Sequence, residues 1–132
     1  MPPSRKLSDR QLDQILRMVH IFFRRIKLSD ICREFNVPER TLTDAFKRRF
    51  GMRIARYISM RKIELSKLYL MRYPRDTCTK VGKRAGFKSK AMFFQAFKAY
   101  VGVNPREYRK NPTRTHFRNT KRYLKREAKW QK

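Results

Sequence analysis

A seven-residue motif is used twice. Ala45-Phe46-Lys47-Arg48-Arg49-Phe50-Gly51 and Ala96-Phe97-Lys98-Ala99-Tyr100-Val101-Gly102 share Ala-Phe-Lys, three residues and Gly, 51 positions apart. The register continues back through Leu42 and Phe93. Further upstream the offset becomes 50, with Asn36-Val37 matching Gly86-Phe87 and Ile31 matching Val81, so Lys88 reads as a single inserted residue in the second copy. Internal repetition of this kind implies one structural unit used twice and constrains the architecture before any local propensity does.

Each copy has the pattern of a helix-turn-helix. In the first, Ile31, Cys32 and Phe35 form a short apolar face, and Leu42, Ala45 and Phe46 form the next at helical spacing. Between them stands Asn36, matched in the second copy by Gly86. These two residue types adopt positive φ most readily, so two unlike letters share one backbone property.

The chain has 132 residues, 40% of them hydrophobic and 13% aromatic, enough to fill compact helical cores. Lys plus Arg number 36 against 10 Asp plus Glu, a formal net charge of +26. Such an excess implies a polyanionic partner, nucleic acid ahead of an anionic membrane, because the basic residues run through the whole chain and not the tail alone. No apolar run approaches the roughly 20 residues needed to span a bilayer, and the basic N-terminus is not followed by a signal-peptide core. A cytoplasmic, nucleoid-associated protein is expected. Cys32 and Cys78 read as small hydrophobes in a reducing compartment. His20 and His116 have no clustered partners, and no metal or cofactor is expected.

Taken in order, Ser8 is the expected N-cap of a first helix, Gln11 closes a capping box and Leu7 and Leu12 have staple spacing. Leu12, Ile15, Leu16, Val19, Phe23 and Ile26 make its inward stripe. A short helix spans Leu28 to Phe35, and the next runs from about Pro38, placed in its first turn, to Phe50. Ile54 to Met71 reads as one helix roughly 27 Å long, with Ile54, Ile58, Leu65, Leu68 and Tyr69 facing inward. Pro74 stops it, Asp76 or Thr77 caps the following helix, and a last helical turn holds Tyr108. From Lys110 onward nine Lys or Arg residues face the single acid Glu127. That tail reads as a flexible basic arm.

The combination Gly86-Phe87, Phe93 to Lys98, Gly102, Pro105 and Tyr108-Arg109, with Tyr57, Ile58, Ile63 and Glu64 upstream, resembles the DNA-binding domain of the AraC/XylS family of bacterial transcription regulators. The resemblance covers about residues 7–109 and joins many positions in fixed register. It implies an all-α fold: a helix-turn-helix subdomain over 7–53, a connecting helix over 54–73, a second helix-turn-helix subdomain over 74–109, and the basic tail 110–132 outside the match. It also implies a recognition helix from each subdomain in successive major grooves, about 34 Å apart on one face of DNA. The chain is similar to the stand-alone, MarA-like members, which carry no small-molecule effector domain and bind as monomers.

Carried onto this sequence, the resemblance implies base contacts from Arg40, Thr41, Thr43 and Asp44 on the first recognition helix and from Lys90, Ala91, Phe94 and Gln95 on the second. By side-chain chemistry Gln95 suits adenine, Arg40 suits guanine, and Ala91 or Phe94 suits a thymine methyl. Lys47, Arg48, Arg53, Lys62, Lys98 and Arg106 read as phosphate contacts, which position without specifying sequence. Three residues depart from the family pattern. Asp44 replaces a common arginine and either accepts from a cytosine amino group or holds Arg40 at i, i+4 spacing. Phe94 replaces a small or polar residue and either faces the groove or packs between subdomains. Gly82 replaces an alanine, at a helix-propensity cost of up to roughly 1 kcal/mol.

Two functions from different classes fit. One is a sequence-specific regulator of transcription, an activator where it also meets RNA polymerase. The alternative is an architectural, largely non-specific nucleic-acid binder that relies on charge. An enzyme is not expected, because the sequence has no paired carboxylates, nucleophile elbow or phosphate-binding glycine loop.

Overall fold

A computed structural model describes residues 6–112. The tail beyond Pro112, including the flexible basic arm expected there, lies outside the described residues. Seven helices follow in order: α1 (Asp9–Phe22), α2 (Leu28–Phe35), α3 (Glu39–Phe50), α4 (Ile54–Arg72), α5 (Cys78–Ala85), α6 (Lys90–Val101) and α7 (Pro105–Lys110). The described residues contain no strand, as the all-α reading requires. The chain divides into two compact units between Arg61 and Lys62, inside α4.

In the first unit α1 begins as its sequence requires. The Gln11 amide donates to Ser8 Oγ at 3.1 Å while Gln11 Oε1 accepts from the Ser8 amide at 2.9 Å, a reciprocal capping box. Leu12, Ile15, Leu16, Val19 and Phe23 are buried. Ile26, expected on the same stripe, lies past the helix end and is only half-buried. α3 packs on α1, and Ile31 of α2 and Leu42, Ala45 and Phe46 of α3 are buried as well, with Phe46 edge-on to Tyr57 at 5.9 Å between ring centroids. Pro38 is not in the first turn of α3 but one position earlier, as N-cap with φ −67° and ψ 154°. There its carbonyl accepts the Leu42 amide, and its missing N–H still costs nothing.

The two turns are built alike. Asn36 has φ 52° and Gly86 φ 111°, both left-handed. The next amide reaches back over the turn in each case, Val37 N–H to Cys32 O at 3.1 Å and Phe87 N–H to Gly82 O at 3.0 Å. That is the Schellman closure, and the buried Val37 and Phe87 supply its apolar contact. Asn36→Ala is therefore expected to lower stability by about 1 kcal/mol and Asn36→Gly to leave it nearly unchanged. Urea unfolding of the two variants checks this; equal midpoints would remove the left-handed turn as the reason for asparagine.

The core of the second unit is aromatic. Phe87, Phe94 and Phe97 surround Phe93 at centroid distances of 5.3, 5.7 and 5.7 Å, and Tyr108 of α7 meets Phe97 at 5.5 Å. Thr77, not Asp76, caps α5, accepting the Lys80 amide at 3.1 Å. Asp76 instead meets Lys80 and Arg84 at 3.6 and 3.5 Å.

The inward face expected for α4 holds only in its first half, where Ile54 and Ile58 are buried together with Tyr57 and Met60. In the second half the buried set is Ile63, Ser66, Lys67 and Leu70, whereas Leu68 is 56% exposed and Leu65 and Tyr69 are half-buried. Two of those buried positions are polar, which hides the change of phase. Ser66 Oγ donates to the Ile63 carbonyl at 2.7 Å, and the Lys67 ammonium meets Glu64 at 3.3 Å. Burial lowers the Lys67 pKa, with Glu64 pulling it back up.

Candidate nucleic-acid interface

With Leu42, Ala45 and Phe46 turned into the first core, α3 presents Arg40, Asp44, Lys47 and Arg48 to solvent, with Thr41 and Thr43 half-buried at the margins. Arg40 Nε lies 3.9 Å from Asp44 Oδ2, on side chains 94% and 64% exposed. A pair that exposed is worth little to stability. It leaves the guanidinium free to change partner.

The third cation of the run Lys47-Arg48-Arg49 is engaged differently. Arg49 donates to both carboxylate oxygens of Asp13 at 3.1 Å and stands 3.5 Å from Asp9. This bidentate clamp ties α3 to α1. The sequence reading missed it because Asp13 is 36 positions away and no local spacing connects the two.

In the second unit α6 is capped by Ser89, whose Oγ accepts the Met92 amide at 3.1 Å. Phe93, Phe97 and Val101 are buried, leaving Lys90, Ala91, Gln95 and Lys98 exposed. Phe94 is half-buried. Its ring packs edge-on to Phe93 within its own unit, at an interplanar angle of 88°, and Lys90 Nζ lies 5.3 Å from its centroid. Met92 is 53% exposed and was missed. The repeat pointed to it, since the offset of 51 places it opposite Thr41.

Of the remaining residues read as phosphate contacts, Arg53 and Arg106 are exposed, whereas Lys62 is half-buried with Nζ 5.6 Å from the Phe87 centroid. The Lys62 pKa is lowered, chiefly by burial and further by the positive charge of Lys88. Cys32 and Cys78 are both free thiols. Among the described residues no group of three or more His, Cys, Asp or Glu side chains is placed to hold a metal ion, and no helix is long and apolar enough to cross a membrane.

Two units, each with a helix-turn-helix and an outward polar face on its second helix, define the fold class of paired helix-turn-helix domains. A helix-turn-helix domain family model matches residues 31–111. The chain belongs to this family, the AraC-type helix-turn-helix family of transcription regulators. It is 25% identical over 100 residues to the Msm operon regulatory protein of Streptococcus mutans, covering 75% of this chain and 36% of that protein. It is 26% identical over 108 residues to the HTH-type transcriptional regulator YdeC of Bacillus subtilis, covering 81% and 37%. The chain thus spans little more than a third of the length of these relatives. Among solved structures, the C-terminal domain of AraT, a response regulator from Geobacillus stearothermophilus, superposes with a TM-score of 0.66 at 22% identity over 80% of this chain and 88% of that one. A protein of unknown function from Listeria innocua superposes with a TM-score of 0.69 at 22% identity, covering 75% and 94%.

Proposed function

We propose that the chain recognises a specific site on double-stranded DNA and regulates transcription there, with α3 and α6 each entering a major groove. One observation carries this reading. The two helices turn matched positions inward, Leu42 and Phe46 in one and Phe93 and Phe97 in the other. They leave matched positions exposed: Arg40 and Ala91, Asp44 and Gln95, Lys47 and Lys98. A helix whose exposed face offers hydrogen-bonding side chains flanked by lysines can read base edges and hold phosphates at once. On this reading Arg40, Thr41, Thr43, Asp44, Lys90, Ala91, Phe94 and Gln95 face the bases. The site has two parts and one copy of the chain binds it. RNA polymerase is the second partner where bound protein activates, and the place of action is the nucleoid.

The test is a selection of bound fragments from random DNA at low and at near-physiological salt. Convergence of both runs on one motif with two parts about 10 bp apart is the expected result. Flat enrichment that vanishes with salt would show instead an architectural binder driven by the +26 charge. Within a converged motif, Arg40→Ala and Gln95→Ala are each expected to lose about 1–3 kcal/mol of discrimination at one base pair and little elsewhere. A uniform loss over all positions would make them phosphate contacts.

A further inference from the structure

Lys88 is the residue that the second copy has and the first lacks, and the face assigned to base reading does not use it. It lies between Phe87, which is buried, and Ser89, the cap of α6. Beside it stands Lys62 of α4, half-buried over the Phe87 ring. Lys88 follows Phe87 directly, so the backbone brings both lysines to that ring, and the charge of Lys88 adds to the lowering of the Lys62 pKa that burial begins. Neither meets a carboxylate among the described residues. Elsewhere in the chain Asp76 meets Lys80 and Arg84, and Asp44 meets Arg40. Two like charges held together, one of them partly desolvated, repel until an anion joins them. A tetrahedral phosphodiester offers two unesterified oxygens, one for each ammonium.

We propose that Lys62 and Lys88 form a two-lysine clamp that closes on a single backbone phosphate of bound DNA. The assignment rests on the duplex-DNA reading above and adds to it that the two lysines share one phosphate. Seating that phosphate at the start of α6 fixes where the second reading helix enters its groove.

The number of phosphates neutralised sets the slope of log affinity against log salt, about 0.9 per phosphate on duplex DNA. The slope is therefore measured on one duplex for the wild type, Lys62→Met, Lys88→Met and the double variant. A shared phosphate predicts that the double variant loses about 0.9 of slope, while each single variant, still holding the phosphate with its remaining lysine, loses clearly less. Losses of about 0.9 for each single variant and about twice that for the double would mean two separate phosphates and overturn the clamp. So would an unchanged slope in the double variant. Methionine keeps the stem over Phe87, and relief of the repulsion predicts no fall in the urea midpoint, so loss of fold is separable from loss of contact. A wild type that binds no duplex would sink the DNA reading itself. In that event the clamp is judged by the Lys88 and Ser89 amide resonances in inorganic phosphate: saturable shifts abolished in the double variant uphold it, and their absence overturns it.

Discussion

Gly82→Ala is expected to destabilise the second unit by about 1–3 kcal/mol, although alanine is the better helix former by up to roughly 1 kcal/mol. A Cβ built on Gly82 would lie 2.4 Å from Phe93 Cδ2 and 2.5 Å from its Cγ, closer than carbon atoms approach without displacement. The ring has nowhere to go. Phe93 is fully buried with Phe87, Phe94 and Phe97 around it, so α5 and α6 must separate or the ring must leave its rotamer. Propensity and overpacking thus predict opposite signs, and the contact distance decides for overpacking. Urea unfolding together with hydrogen exchange in α5 and α6 reads the outcome. The companion variant Gly82→Ala/Phe93→Leu should recover part of the exchange protection lost in Gly82→Ala, because the smaller side chain makes room for the methyl group. A more stable Gly82→Ala protein would show that the glycine is only a poor helix residue after all.

The cost assigned to Gly82 from sequence was real as propensity and incomplete as an account, since the second half of the reason is a ring 11 positions away. The same division separates what was legible from what was not. Asn36 and Gly86 were legible because a left-handed residue at a helix end is a local requirement, visible in the residue type and repeated at a fixed offset. Ser8 with Gln11 was legible for the same reason. The second half of α4 was not. Its buried face includes Ser66 and Lys67, whose polar atoms are satisfied by Ile63 O and Glu64, and a reading that equates inward with apolar passes over both. It took Leu68 instead, which is exposed. Periodicity locates a helix more securely than it locates the helix's buried face when one helix belongs to two units.

For the candidate interface, the face was legible and its membership less so. Once Phe46 and Phe97 are inward, the opposite stripe follows from 3.6 residues per turn, and Arg40, Asp44, Gln95 and Lys98 are exposed accordingly. Non-local pairing changed the roles of individual cations. Arg49 sits in a basic run yet is held by Asp13, and Lys62 shares its surroundings with Lys88. Neither fact has a signature at short sequence spacing.

Arg109→Met is expected to cost about 2–4 kcal/mol, of the same order as Gly82→Ala but by loss of partners and not by crowding. The Arg109 guanidinium donates through Nε to Leu70 O at 3.1 Å, through Nη2 to Tyr73 O at 3.2 Å and through Nη1 to Asp76 O at 2.6 Å. Leu70 lies in the last turn of α4, where carbonyls have no partner within the helix, and a cation there also opposes the negative end of the helix dipole. One side chain of α7 therefore closes the end of α4 and fixes the Tyr73 to Asp76 turn ahead of α5. Each bond to a charged donor is worth about 1.5–3 kcal/mol, and because all three are lost together on a partly exposed group the sum is well below additive. Arg109→Lys should recover less than half of the loss, since a single ammonium cannot meet three carbonyls that a planar fork reaches at once. Thermal unfolding ranks the three proteins, and amide exchange at Tyr73, Asp76 and Cys78 shows where the protection was lost. If lysine restored full stability, charge near the end of α4 would be the operative quantity and the geometry of the fork would be incidental.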